Sequence, residues 1–252
     1  MTTLVTDVRE KPERIYAPLQ FEARDEMPEE FRRLVLRLLR ETNEIGSVKV
    51  CYDQMRDMTK NVALAPDPVS RVRIVEFFAD EMRHQKMFDG VVRAMGEIPG
   101  EDFVSSIDGL NATSSVREWV DLALLNHFID RVGAFQLLDY ELSSFAPLSR
   151  AGVAVAKDEF GHCAMGFQHL VELCRTDEGR AAVEARLPTW YGYALDMFGT
   201  RSGTRQWKYI EFGLKTKSNE ELRQEYLVHI APFFDRLGIA QPDPASVPRK
   251  YA

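Results

Sequence analysis

The sequence predicts an all-α protein: a bundle of four long helices with additional, shorter helices toward the C-terminus. Three observations carry the prediction. Apolar residues recur at three- and four-residue intervals over long stretches, with helix start and stop signals at their ends. No segment sustains the period-two alternation of a strand. An Asp-Glu-x-x-His phrase occurs twice, as DEMRH at 80–84 and DEFGH at 158–162, each inside a long helical stretch.

The elements follow in order. Residues 1–26 are polar and mixed and read as an extended N-terminal arm. Met27-Pro28 opens the first helix, and its seam of Phe31, Leu34, Val35, Leu38, Ile45 and Val48 carries it to about Met58. Asp67-Pro68 starts the second, since Asp can cap and Pro fits the first helical position; Gly96 stops it after Met95. Ser115 with Glu118 fits a capping box for a third helix running to about Ser144, with Pro147 marking the break. The fourth spans about Leu148 to Arg175. Pro188 is expected near the start of a fifth that ends near Gly199. Ser218 with Glu221 forms another capping box and opens a last helix to Leu237, with Pro232 as a kink. The helical domain is therefore expected at 27–240, and QPDPASVPRK belongs to a loop-like C-terminal tail at 241–252.

Composition narrows the function. The chain has 252 residues, 45% apolar and 28% charged, enough for a sizeable core. A formal charge of −7 and a pI near 5.4 argue against a nucleic-acid surface. Cys51, Cys163 and Cys174 form no CxxC and are expected as reduced thiols. No signal segment and no membrane-spanning apolar run is visible, so a soluble, cytoplasmic protein is expected.

The repeated phrase carries the chemistry. Residues three apart share one helix face, so Glu81 points with His84 and Glu159 with His162. A carboxylate with an imidazole is a sensible ligand pair for a first-row metal, and two pairs on facing helices can hold two ions. Ferritin-like carboxylate bundles add one carboxylate from each of the other two helices. On the third helix Asp130 lies on the apolar seam between Ala123 and Leu137, with Glu141 the weaker candidate; Gly133 is expected to let that helix approach closely. On the first, periodicity leaves both Glu41 and Glu44 open. The acid before each Glu is placed to hold the far nitrogen of the opposite imidazole, Asp80 to His162 and Asp158 to His84, with Arg83 balancing one of those charges. One Glu-x-x-His is common by chance, and two with a preceding acid are not. The competing reading is a pair of buried ion-pair networks, which is costly without a metal.

The remaining features have plainer readings. His127 and His169 are expected as core or supporting histidines and His229 as partly exposed; Trp190, Tyr191, Tyr193 and Phe198 as core. Arg201, Arg205, Lys208, Lys215 and Lys217 form a basic cluster, either a solvated surface or an anchor for a phosphate-bearing substrate.

These residues resemble a known family. MPEEFRRL, NEIG, DEMRH, FIDRVGA, DEFGHCAMGF, ALDMFG, QWK, SNEELRQEY and LGIAQPDP are similar to the catalytic subunits of ring 1,2-phenylacetyl-coenzyme A epoxidase and the related benzoyl-coenzyme A epoxidase, ferritin-like di-iron oxygenases. The likeness runs from about Asp25 to Pro244. It implies the metal ligands Glu44, Glu81, His84, Asp130, Glu159 and His162, with NEIG selecting Glu44. It implies two iron ions, for which manganese or a mixed pair is also suited, and O₂ as co-substrate. The reaction implied is epoxidation or hydroxylation of an aromatic or unsaturated acyl group, carried as a coenzyme A thioester. No flavin or nicotinamide fingerprint is present, so the electrons come from a separate reductase; a homodimer or a heteromer with a metal-free paralogous subunit is also implied. Three departures bear on the substrate: Phe77 stands where the phenylacetyl enzyme has a lysine, CYDQMRDMTKNVALAP is longer, and the chain stops soon after QPDP. The rival expectations are a non-catalytic structural subunit, a ferritin-like iron-handling protein, and an N-oxygenase or desaturase acting on a substrate without coenzyme A.

Overall fold

A computed structural model describes residues 11–42, 59–99, 115–201 and 203–250. Helix α1 (Glu29–Thr42) has Glu29 and Glu30 in its first turn, where the helix dipole favours acids, and buries Phe31, Val35, Leu38 and Leu39. Its expected continuation to Met58 lies outside the described residues. A short 3₁₀ turn, Val62–Leu64, leads to α2 (Pro68–Ala94). There the Asp67 carboxylate accepts from the backbone N–H groups of Val69 and Ser70, at 2.8 and 3.0 Å, ahead of Pro68. Gly96 ends the helix at φ +80°, in the left-handed region that glycine adopts without strain.

Helix α3 differs from expectation at both ends. It is made of Trp119–Leu124, a π-helical turn at Leu125–Ile129, and Asp130–Leu138, run together without a break. Ser115 does not cap it. Glu118 is the cap residue, because Asp121 reaches back to its N–H at 3.0 Å and completes the box. The helix stops short of Ser144 because the following backbone is used elsewhere: Ser143 C=O accepts from Leu19 N–H, and Ser144 N–H donates to Gly213 C=O.

Helix α4 (Ala146–Leu173) follows with Pro147 in its first turn. Helix α5 (Asp177–Met197) begins well before Pro188, which sits inside it rather than at its start. Thr176 is the true start signal, its Oγ1 accepting from Gly179 N–H at 3.1 Å. Proline is tolerated because the carbonyl it orphans belongs to exposed Glu184, where water can satisfy it. Helix α6 (Thr204–Glu211) is not among the helices expected from the sequence. Helix α7 (Asn219–Leu237) has the expected Ser218/Glu221 capping box and ends at Gly238, φ +64°. Its internal Pro232 likewise faces exposed Val228 one turn back.

The fold is all-α, a ferritin-like four-helix bundle of α1–α4 with α5–α7 added. The arm and tail are irregular but bonded down: Arg14 Nη2 donates to Leu142 C=O at 2.7 Å, and Gln241 Nε2 to the Tyr191 hydroxyl at 2.9 Å. Cys163 and Cys174 are buried free thiols; Cys51 lies outside the described residues. No helix among the described residues is long and apolar enough to cross a membrane.

Two apolar clusters organise the bundle. One joins α3, α4, α5 and α7 through Phe128, Leu170, Trp190, Tyr191 and Tyr226. The other joins α1, the end of α2, the start of α4 and α6 through Phe31, Leu39, Phe88, Leu148 and Phe212. Each central helix passes from one cluster to the other, α2 from Phe77 to Phe88, α3 from Ile129 to Leu137, and α4 from Ala156 to Phe167. Glu81, His84, Asp130, Glu159 and His162 occupy the crossing zone. The fold thus buries a polar layer between two apolar ones, an expensive arrangement unless the layer is neutralised.

Candidate metal centre

The polar layer is built from three helices. Two sets of groups converge, Glu81 with His84 and Glu159, and Asp130 with Glu159 and His162, with one potential ligand atom per residue within 4.8 Å of the others. Glu159 belongs to both. His84 Nδ1 lies 3.6 Å from Glu81 Oε1 and 3.4 Å from Glu159 Oε1. His162 Nδ1 lies 3.5 Å from Glu81 Oε1 and 3.6 Å from Glu159 Oε2.

The outer ring nitrogens are pinned in a crossed pattern. His84 Nε2 is 3.2 Å from Asp158 Oδ2, and His162 Nε2 is 3.2 Å from Asp80 Oδ2. An ionised carboxylate only accepts, so each Nε2 carries a proton and each Nδ1 is the nitrogen turned inward. Arg83 forms an ion pair with Asp80 one turn back. Phe77 packs edge-on against His162, ring centroids 4.6 Å apart, and closes that side with apolar surface.

Three buried atoms at the centre have no hydrogen-bond partner: Glu81 Oε1, His84 Nδ1 and His162 Nδ1. Buried polar atoms are nearly always paired, so three orphans facing a common space mark a missing partner. The electrostatics say the same. Burial, then the charge of Glu159, pushes the Glu81 carboxyl up to about 7. Burial and Glu159 also raise Asp130 well above the carboxylate range. Burial acts against charge on the imidazoles, yet the nearby Glu159 carboxylate outweighs it, raising His84 and lifting His162 to about 9. Burial likewise opposes ionisation of Glu159, but the two imidazoles beside it hold it below its ordinary value. Metal-free, the layer neutralises itself with protons. A cation would take their place, and carboxylates with imidazoles form a donor set suited to iron or manganese.

The other candidates fall elsewhere. Glu44 lies outside the described residues. Glu41 is committed on both oxygens, Oε1 to Arg37 and Arg205 at 2.9 and 2.7 Å and Oε2 to the Tyr209 hydroxyl at 2.7 Å. Glu141 is exposed beyond the end of α3. Gly133 is not where the helices close in, since a Cβ there would meet Glu159 only at ordinary distance, 3.8 Å. The close approaches are on α4: a Cβ at Gly152 would lie 2.8 Å from Leu137 C=O, and one at Gly166 would lie 2.6 Å from His127 N.

Each of the basic residues of the 201–217 cluster has an acid partner, Arg201 with Glu220, Arg205 with Glu41, Lys208 with Glu211, Lys215 with Asp139 and Lys217 with Glu225. His127 is buried among Phe128, Phe167 and Phe233, and burial, then Arg131, drives it down to about 3. His169 is buried edge-on to Trp119, and exposed His229 meets Arg131. Trp190, Tyr191 and Phe198 are core, with Tyr193 partly buried. Asn126, which donates to Asp130 at 2.8 Å from the π turn, escaped the sequence reading. Its signal was the four-residue spacing to Asp130, a distance at which amide and carboxylate side chains on a helix can meet.

The chain is 22% identical over 243 residues to one subunit of the 1,2-phenylacetyl-CoA epoxidase of Escherichia coli (strain K12), covering 92% of this chain and 76% of that protein. Residues 99–250, which hold Asp130 and the whole second phrase, match the family described as phenylacetic acid catabolic protein. That is well over half of the sequence, and the chain belongs to the phenylacetic acid catabolic protein family.

Proposed function

We propose that the chain is the metal-bearing subunit of an epoxidase-like monooxygenase, with Glu81, His84, Asp130, Glu159, His162 and Glu44 as the ligands of two iron ions or an iron–manganese pair. The observation that carries the reading is the set of orphaned inward atoms, Glu81 Oε1, His84 Nδ1 and His162 Nδ1, in a buried layer whose outer nitrogens are already held. Other buried atoms, among them His127 Nε2 and Trp207 Nε1, are also unpaired, but these three belong to side chains that converge with Glu159 on one space.

When bound, the metal pair would activate O₂, so that two electrons and two protons supplied through the reductase, with two further electrons from the substrate, leave one oxygen atom in the substrate and the other as water. The chain's own residues do the rest. Asp80 and Asp158 fix the tautomer and angle of the imidazoles, and Arg83 balances Asp80. Phe77 and the flanking apolar clusters keep bulk water out. Glu81 and the histidines give up protons when a cation enters. Electrons come from a separate reductase, and the substrate is an aromatic or unsaturated acyl group on coenzyme A. A metal-free paralogous subunit completes the assembly.

A second reading has one observation in its favour. The basic cluster that could have anchored a phosphate is fully ion-paired. Oxidation of a substrate without coenzyme A, including N-oxygenation or desaturation, fits that better. Both readings are tested by loading the protein with iron, reducing it chemically, and exposing it to ¹⁸O₂ with phenylacetyl-CoA or with free phenylacetate. One ¹⁸O atom in the thioester product supports the first reading. Incorporation only into the free acid favours the second. No incorporation into either by fully iron-loaded protein contradicts the proposed substrate class.

A further inference from the structure

We propose that Asn126 is a positioning residue: its side-chain amide holds one oxygen of the Asp130 carboxylate and leaves the other as that residue's single metal donor. This rests on the metal reading given above. Asn126 is 1% exposed and sits within the π-helical turn that directly precedes Asp130. Its Nδ2 donates to Asp130 Oδ2 at 2.8 Å. A metal-bound Asp130 would be ionised and could only accept, so in the loaded protein the nitrogen side of the amide faces it, as it does here. That leaves Asn126 Oδ1, which is buried and has no hydrogen-bond partner.

The amide is held in place from behind. A Cβ at Gly166 would meet Asn126 Cβ at 2.8 Å, His127 N at 2.6 Å and Ala123 C=O at 2.9 Å, so the π turn rests against the α4 backbone and has no room to withdraw. Gly166 lies one turn beyond His162 on α4, so the glycine that seats the π turn neighbours the imidazole that shares the Asp130 group. π turns mark functional positions in many helices, and this one delivers a buried amide to a short carboxylate that reaches the centre with little slack. Partners that orient metal ligands in this way typically account for 10–100-fold in metal affinity.

The test is a double-mutant cycle read with Co(II) as the probe, on wild type, Asn126→Leu, Asp130→Asn and the double variant, each checked for folding by circular dichroism. Asn126→Leu keeps the shape of the side chain and removes its polar atoms. The expected result is two Co(II) per wild-type chain, about a tenfold weaker affinity for one ion in Asn126→Leu with a changed visible spectrum, and no further effect of Asn126→Leu once Asp130 is already Asn. Asn126→Ala takes its place, with the same expectation, if the Leu variant does not fold. Equal losses in both backgrounds would overturn the proposal, because Asn126 would then act on packing and not through Asp130. Wild-type affinity and spectrum in Asn126→Leu would overturn it as well. A wild type that binds no Co(II) would refute the metal reading beneath it, an outcome distinct from either of these.

Discussion

Helix α3 carries two buried aspartates that face opposite situations. Asp121 is wholly buried, and every lone pair has a donor: Arg186 and the Trp190 indole on Oδ1, Arg186 and the backbone N–H groups of Arg117 and Glu118 on Oδ2, all within 3.0 Å. Burial acts to raise its pKa, but Arg186 and Trp190 hold it below the ordinary carboxylate value. Asp130 has one amide donor, like-charged neighbours and a pKa pushed far upward. The first network is closed and ties α3 to α5. The second is open toward orphaned nitrogens. A buried acid that completes its own bonding serves stability, whereas one kept short of partners points to a ligand.

The sharpest way to break the comparison is Asp121→Ala. It strands the Trp190 N–H and two backbone N–H groups, and about 3 kcal/mol of stability should be lost in urea unfolding, at the low end for a buried pair because Arg186 is half exposed and can rehydrate. The metal content of the chains that remain folded should not change. Loss of metal without loss of stability would erase the distinction.

His127 is a buried histidine outside the polar layer, with Nδ1 3.2 Å from Cys163 C=O and Nε2 unpaired among aromatic rings. It is neutral in the fold down to about pH 3, whereas the unfolded chain takes a proton near its ordinary 6.5. Its stabilisation is therefore complete above pH 6.5 and lost as pH falls, at about 1.4 kcal/mol per pH unit between 6.5 and 3. His162 has the opposite sign in metal-free protein: its contribution is present below pH 6.5 and lost as pH rises through about 9. Urea midpoints of His127→Gln measured from pH 7 to 5 should show an acid slope flatter than wild type by about one proton. An unchanged slope would remove His127 from the structural set.

Glu81→Gln sharpens the comparison from the other side. The metal-free fold retains a proton on Glu81 up to about pH 7, so that acid costs stability increasingly as pH rises from its ordinary 4.5 to 7. The variant should be more stable than wild type when metal-free at pH 8, by about 1 kcal/mol, while losing at least tenfold in metal affinity. A destabilised metal-free Glu81→Gln would place this acid with Asp121. The smallest effect is expected from Arg83→Ala. Its ion pair with Asp80 is more than half exposed on the arginine side, so stability should move by less than about 1 kcal/mol.

What was legible in the sequence was local. Asp67-Pro68, Gly96, and Ser218 with Glu221 announce helix ends because the residues that cap are adjacent to the groups they satisfy. The crossed Asp80–His162 and Asp158–His84 pairs were visible because helical period and two facing helices leave few alternatives. What was hidden depends on distant residues. The start of α3 is set by Asp121 acting together with Arg186 and Trp190 from α5, which Ser115 cannot rival. The π turn has no local signature, because the space it fills is provided by Gly166 on another helix. The basic cluster read as either a solvated surface or a phosphate anchor, because Glu41 and Asp139, which pair with Arg205 and Lys215, lie far earlier in the chain. Pro188 was a misleading start signal because nothing local says that its orphaned carbonyl faces water.

The most direct test of the central claim is elemental analysis of protein purified from iron-replete cells, beside His84→Ala, with thermal unfolding of both before and after chelation. The account predicts about two metal ions per wild-type chain, fewer in the variant, and a wild-type midpoint that falls on chelation while the variant's barely moves. A wild type that is folded, metal-free and indifferent to chelator or added iron would contradict it, and the repeated phrase would then be only a buried ion-pair network.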